Sequence, residues 1–178
     1  MLRRRSFPLL IALVALLAGI AAPVLAQRAD DAKRPSKNGR TAGAVGGVNV
    51  VLEYGRPLVN GRAIWGSLVP YGQVWRTGAN EATTISFDKD VLIEGQKLAA
   101  GTYALFTIPA EKSWTVIFNK TAQQWGAFKY DAAQDALRVT VAPATGDMVE
   151  AMDFVLEGDH VVLRWEKLRV GFAVAAAK

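Results

Sequence analysis

The residues best suited to chemistry lie in one stretch, Arg56 to Ala82, which reads R-P-L-V-N-G-R-A-I-W-G-S-L-V-P-Y-G-Q-V-W-R-T-G-A-N-E-A. Within it Arg56, Arg62, Trp75, Arg76, Asn80 and Glu81 form the candidate ligand-binding set. Arginine forks hold carboxylate or phosphate bidentately, aromatic faces stack on sugar rings or guanidinium groups, and an Asn amide both donates and accepts. The same mixture can equally be an internal polar network, in which Arg–Glu pairs and amides satisfy buried backbone groups and pin a long loop to a sheet. Residue types alone leave both readings open.

Catalytic patterns are incomplete. Glu53, just before the stretch, and Glu81, near its end, are the one carboxylate pair to weigh for glycoside hydrolysis, which needs an acid for the leaving oxygen and a base or nucleophile opposite. The competing reading puts Glu53 on the wet face of a strand and lets Glu81 neutralise Arg76 or another loop arginine. His160 is the single histidine and follows Glu157-Gly158-Asp159, which reads as an exposed turn. Ser67, Ser86 and Ser113 lack the Gly-x-Ser-x-Gly elbow that would expose a nucleophile. With no cysteine and one histidine, no zinc or copper ligand set is expected, and Asp88-Lys89-Asp90 lacks the spacing of a calcium loop. No cofactor is expected.

The elements that must position these residues are strands. Apolar side chains alternate with polar ones at Val48–Tyr54, Ile85–Phe87, Tyr103–Thr107, Trp114–Phe118, Leu137–Val141, Met152–Leu156, Val161–Trp165 and Val170–Val174. Turn signals separate them at Glu94-Gly95, Ala100-Gly101, Pro109-Ala110-Glu111, Gly146-Asp147 and Glu157-Gly158-Asp159. Strands without crossover helices imply antiparallel pairing, so the expectation is an all-β domain of about nine strands, a jelly-roll-like or related β-sandwich. Arg56–Ala82 is then a long Gly/Arg/Trp-rich loop after the first strand, and a loop of that length is either functional or docked by its own side chains. Trp114, Phe118, Tyr103, Trp165 and Phe172 fall on alternating positions and read as core, whereas Trp125 sits in a connection where it could face a ligand.

A set of motifs accompanies this pattern: Tyr54-Gly55-Arg56-Pro57, Gly61-Arg62, Val69-Pro70-Tyr71-Gly72, the run Val74-Trp75-Arg76-Thr77-Gly78-Ala79-Asn80-Glu81-Ala82-Thr83, Ala100-Gly101-Thr102-Tyr103, Trp114–Lys120 and Gln124-Trp125-Gly126. Together they resemble the domain-of-unknown-function 2911 family of exported bacterial proteins. The resemblance spans roughly Val48 to Val174. It implies an exported single domain and brings no established activity with it.

The chain opens with three arginines ahead of an apolar run from Phe7 to Ala22 that ends in Val24-Leu25-Ala26. That is the layout of a cleaved signal peptide over residues 1–26, with cleavage near Ala26-Gln27 and a periplasmic or secreted destination. No stable membrane insertion is expected after cleavage. Residues 27–47 are polar, charged and glycine-bearing, so they read as a flexible polar linker, and residues 48–175 as a single β-sandwich domain. The formal charge of +5 owes much to the leader: without residues 1–26, which hold three arginines and no acid, 18 basic residues face 16 acidic ones. A nearly neutral domain gives no basis for nucleic-acid binding. The expected role is a non-enzymatic module that binds a polar or anionic small molecule, a glycan or an envelope protein. The alternatives are a hydrolase of envelope glycan or peptide using acidic residues of the 53–81 region, and a structural partner of another envelope protein.

Overall fold

The computed structural model describes residues 31–178, so the expected signal segment and its cleavage point lie outside the described residues. Ten strands follow in order: β1 (Lys37–Val45), β2 (Val48–Arg56), β3 (Thr83–Phe87), β4 (Val91–Ile93), β5 (Gln96–Leu98), β6 (Gly101–Ile108), β7 (Trp114–Asn119), β8 (Asp135–Val141), β9 (Ala144–Glu157) and β10 (His160–Ala176). They build a six-stranded sheet in the order β1-β2-β3-β6-β7-β8 and a four-stranded sheet in the order β5-β4-β10-β9. Every ladder is antiparallel. The expected β-sandwich is therefore the architecture, open rather than closed into a barrel.

Alternation puts one side of each strand into the core between the sheets. Val48, Val50, Leu52 and Tyr54 of β2 and Leu105 of β6 face Phe154, Leu163, Phe172 and Val174 of the second sheet, all nearly or fully buried. Edge-on aromatic contacts join the layers at Tyr54–Phe154, 4.9 Å between centroids, and Phe118–Phe172, 5.5 Å. A void with room for about one water molecule remains among Thr77, Leu105, Thr107, Phe154 and Phe172.

The segment read as a linker up to Gly47 is a strand from Lys37 onward. β1 pairs along its whole length with β2, Lys37 opposite Arg56 through Val45 opposite Val48. Its composition, K-N-G-R-T-A-G-A-V, offers no apolar period, and the strand exists because β2 supplies the ladder. Gly46 and Gly47, at φ +55° and +79°, make the two-residue turn that this register requires. Two other differences are local. β4 and β5 are too short to show a period, and the stretches expected as two strands around Val161 and Val170 form one, β10, with a bulge at Glu166, whose φ is +55°.

The six-stranded sheet is also covered on part of its outer face. Phe106 and Ile117 are opposite one another in the β6–β7 ladder and point away from the inter-sheet core. With Ala82 and Ala104 they form a second buried cluster, against which Val74, Ile108, Ala127 and Tyr130 pack.

Candidate functional site

The first half of the long loop is a clasp between the sheets. Pro57 accepts a bond from the Met152 amide at 3.0 Å, Leu58 bridges to Ala151, and the Val59 amide donates to the Glu150 carbonyl at 2.9 Å. Arg56 strengthens this seam: its Nε donates to the Met152 carbonyl oxygen at 3.2 Å. Arg62 turns back on its own loop, donating from Nε to the Val59 carbonyl at 3.1 Å and from Nη2 to the Leu58 carbonyl. Both arginines thus satisfy backbone carbonyls that leave the regular ladders.

Trp75 is built into the core. Its backbone pairs with Thr107 of β6, and its ring joins Trp65, Trp114 and Trp165. Trp65 stands edge-on to the other three at 5.1 to 5.9 Å, while Trp75 stacks on Trp165 at 5.9 Å with planes 19° apart. The Trp75 indole N–H donates to the Gly78 carbonyl at 3.2 Å. Those of Trp65, Trp114 and Trp165 are buried without a hydrogen-bond partner within this aromatic cluster.

Residues 76–83 form a tight return. The Thr83 amide donates to the Arg76 carbonyl at 3.2 Å, and Thr83 Oγ1 donates to the Thr77 carbonyl at 2.7 Å. Thr77 and Asn80 hold positive φ, +52° and +64°, a cost for side-chain-bearing residues that the surrounding bonds must offset. The return lies directly on β2. A Cβ placed on Gly55 would stand 2.1 Å from the Ala79 carbonyl oxygen, so only glycine permits this approach.

The end of the return is fastened to the segment before β1. Asn80 Nδ2 donates to the Ser36 carbonyl at 3.1 Å. Glu81 accepts both prongs of the Arg34 guanidinium, at 2.6 and 2.7 Å. Glu81 is thus paired with an arginine that precedes β1, and Arg76 is left out of that pairing. The Arg34 bond to Glu81 pushes its guanidinium further above its ordinary range. The Arg34 head also lies 5.9 Å from the centre of the Trp125 ring.

Arg76 is the exception among the six. In the antiparallel pairing that sets Trp75 opposite Thr107, the next residue, Arg76, falls opposite Phe106 and on the outer face. Its side chain is half-buried, its Nε is buried without a hydrogen-bond partner, and no described carboxylate pairs with it. Burial pushes its guanidinium below the ordinary value. A partly desolvated cation with no counter-charge is unfavourable, and a bound anion would relieve it.

A segment unmarked in the sequence by any periodic signal covers this face. Residues 121–131 leave β7 and run beside the return: the Ala82 amide donates to the Gln124 carbonyl at 3.0 Å, Glu81 bridges to Trp125, and the Gly126 amide donates to the Asn80 carbonyl at 3.1 Å. Gln124 brings a second unmatched group, a buried Oε1 without a donor, although its Nε2 donates to the Thr121 carbonyl at 2.8 Å. At the far end, the Tyr130 ring stands 5.0 Å from Phe106, and its hydroxyl donates to Asp135 at 2.7 Å. Asp135 also accepts from Arg138 at 2.7 Å and from Asn119 at 2.8 Å. Desolvation and the bond to Asp135 raise the Tyr130 phenol to about 12. Trp125 and Phe128 project outward, 58% and 86% exposed. The available signal was Phe106 and Ile117, two large apolar residues on the face that alternation assigned to water.

Other sequence candidates are placed simply. His160 is exposed and bonded through Nδ1 to its neighbour Asp159 at 2.6 Å. Asp88 binds the amide and side chain of Asn49, at 2.9 and 2.7 Å, which lowers its carboxyl below the usual range despite an opposing desolvation contribution. Among the described residues no three His, Asp or Glu side chains gather into a metal-binding group, and no helix is long and apolar enough to cross a membrane. No curated protein and no solved structure matches the chain. The family described as "protein of unknown function (DUF2911)" matches residues 34–174, from the arginine that grips Glu81 to the end of the β10 core. The match takes in the return, the segment 121–131 and all but the last two residues of the strands, and the chain belongs to that family.

Proposed function

We propose that this protein is a binding module without catalytic machinery, and that its ligand presents an anionic group to Arg76 on the outer face of the six-stranded sheet. The observation that carries this reading is the half-buried Arg76 guanidinium, whose Nε has no hydrogen-bond partner. Its neighbours in the loop answer their polar groups internally: Arg56 and Arg62 bind carbonyls, and Glu81 takes Arg34. A module of this kind suits the periplasmic or secreted location expected from residues 1–26. The carboxylate-based hydrolase is less well supported, because both oxygens of Glu81 are held by a guanidinium fork.

Thermal denaturation of the purified protein tests the reading, with acetate, D-glucuronate and inorganic phosphate as probes against chloride at matched ionic strength. An anion that occupies the site raises the midpoint, by an amount equivalent to about 2.7 kcal/mol at a hundredfold excess over Kd. Arg76→Met removes that rise while the fold persists. If no anion shifts the wild-type midpoint and Arg76→Met lowers it substantially, Arg76 is a structural residue and the reading fails.

A further inference from the structure

Trp125 and Phe128 are two of the five exposed large apolar residues among those described, and they stand three positions apart on the segment that runs beside the 76–83 return. Loose loops also expose aromatics, but this segment is held. Backbone bonds tie residues 124 and 126 to the return at 80–82, and the Tyr130 hydroxyl ties the far end to Asp135. Gly126, at φ +66°, lets the Phe128 ring fold back over the backbone: a Cβ there would meet that ring at 2.9 Å. The Trp125 ring is steadied by Arg34, whose charge is already answered by Glu81. Two exposed rings on a braced segment form a pre-organised surface, and rigid aromatics lose little entropy when a ligand covers them.

We infer that the ligand is an oligosaccharide containing hexuronate residues, with its carboxylate on Arg76 and its pyranose rings against Trp125 and Phe128. This rests on the reading of Arg76 given above and names its ligand class. The chemistry of the surface selects it. A pyranose ring presents a face of C–H groups that suits an indole or phenyl ring, and its hydroxyls suit the amide of Gln124, whose Oε1 is buried without a donor. The negative charge is drawn to Arg76, whose half-buried guanidinium has no carboxylate partner among the described residues. An anionic membrane would require a run of basic residues, whereas this segment contributes Lys129 alone and Arg34 is neutralised by Glu81.

The test is titration of intrinsic tryptophan fluorescence, to which Trp125 contributes the most exposed of the five indoles, with calorimetry as a second readout. The probes are oligogalacturonate, the neutral galacto-oligosaccharide of equal length, and acetate, each against the wild type, Trp125→Ala, Phe128→Ala and Arg76→Met. Oligogalacturonate is expected to bind with a blue shift, and the neutral sugar at least about tenfold more weakly. Each aromatic substitution should weaken binding about tenfold, and Arg76→Met by at least that factor. Circular dichroism of each variant confirms that the fold is retained. Equal binding of acetate and oligogalacturonate, lost in Arg76→Met but untouched by Trp125→Ala and Phe128→Ala, would overturn the glycan assignment and leave the anion site standing. Equal binding of charged and neutral sugars, insensitive to Arg76→Met, would overturn both readings. Absence of binding by every probe would also overturn both.

Discussion

Arg34 and Glu81 lie 47 positions apart in the chain and meet as a two-pronged ion pair, Nη1 to Oε2 at 2.7 Å and Nη2 to Oε1 at 2.6 Å. The pair locks the segment before β1 to the far end of the return, beside Trp125. A lysine can supply the charge at that site but not the planar fork. Arg34→Met is therefore expected to lower the thermal midpoint, and Arg34→Lys to recover only part of the loss. Full recovery by lysine would show that charge alone matters there.

Arg76→Met should act in the opposite sense on the unliganded protein. Replacing a half-buried, unpaired guanidinium with an apolar side chain of similar length is expected to stabilise the fold by about 1 kcal/mol, the pattern of a site that trades stability for binding. Urea denaturation at pH 7 measures it. A loss of stability of comparable size would instead assign Arg76 a scaffolding role.

Phe106→Ala removes the ring that fills the outer cluster and contacts Tyr130. Phe106 is fully buried, so the expected cost is about 3–5 kcal/mol. Because the covering segment leans on that ring, hydrogen exchange in residues 121–131 should accelerate more than in β2 or β3. Uniform acceleration across the chain would mean that the segment has no separate dependence on Phe106.

The Tyr130 phenol makes stability depend on alkaline pH. Its folded-state value is raised from 10.0 to about 12, so the unfolded chain loses the proton first and the folded state binds more protons in between. Stability from this group is fully present below pH 10 and is lost as pH rises through about 12. Tyr103, raised mainly by desolvation, acts in the same direction. Tyr130→Phe should accordingly flatten part of the decline in this window, as followed by denaturant midpoints, and an unchanged slope would count against the assignment.

Gly55→Ala is expected to disrupt the return more than the sheet. The added methyl would stand 2.1 Å from the Ala79 carbonyl oxygen, a backbone atom that cannot rotate away. The variant should lose anion-dependent stabilisation while retaining a β-rich circular dichroism spectrum. Unaltered anion response would show that the return can shift without harm to the site.

The sandwich was legible because a half-buried strand writes its burial into alternate residues, as in Val48-Asn49-Val50. What escaped was structure imposed from outside the segment. β1 has glycines and alanines where a period would show, and it is a strand because β2 lies beside it. Within the candidate site, the six residues were legible as types but their partners were not. The arginine that takes Glu81 comes from the stretch read as a lead-in, and the return turns Trp75 inward and Arg76 outward at adjacent positions. Phe106 and Ile117 held the clue to the covered outer face, since water-facing positions seldom carry two such residues in register.

The position of β10 between β4 and β9 has a consequence for when this protein can fold. The central strand of the smaller sheet spans residues 160–176, whereas its neighbour β4 spans residues 91–93. During synthesis β4 and β5 therefore wait for a partner made much later, and the inner face of the larger sheet has no opposing layer until then. Contacts this distant along the chain close slowly. A nascent domain of this topology therefore stays open, with the inner face of its larger sheet wet, until residues 160–176 have been made.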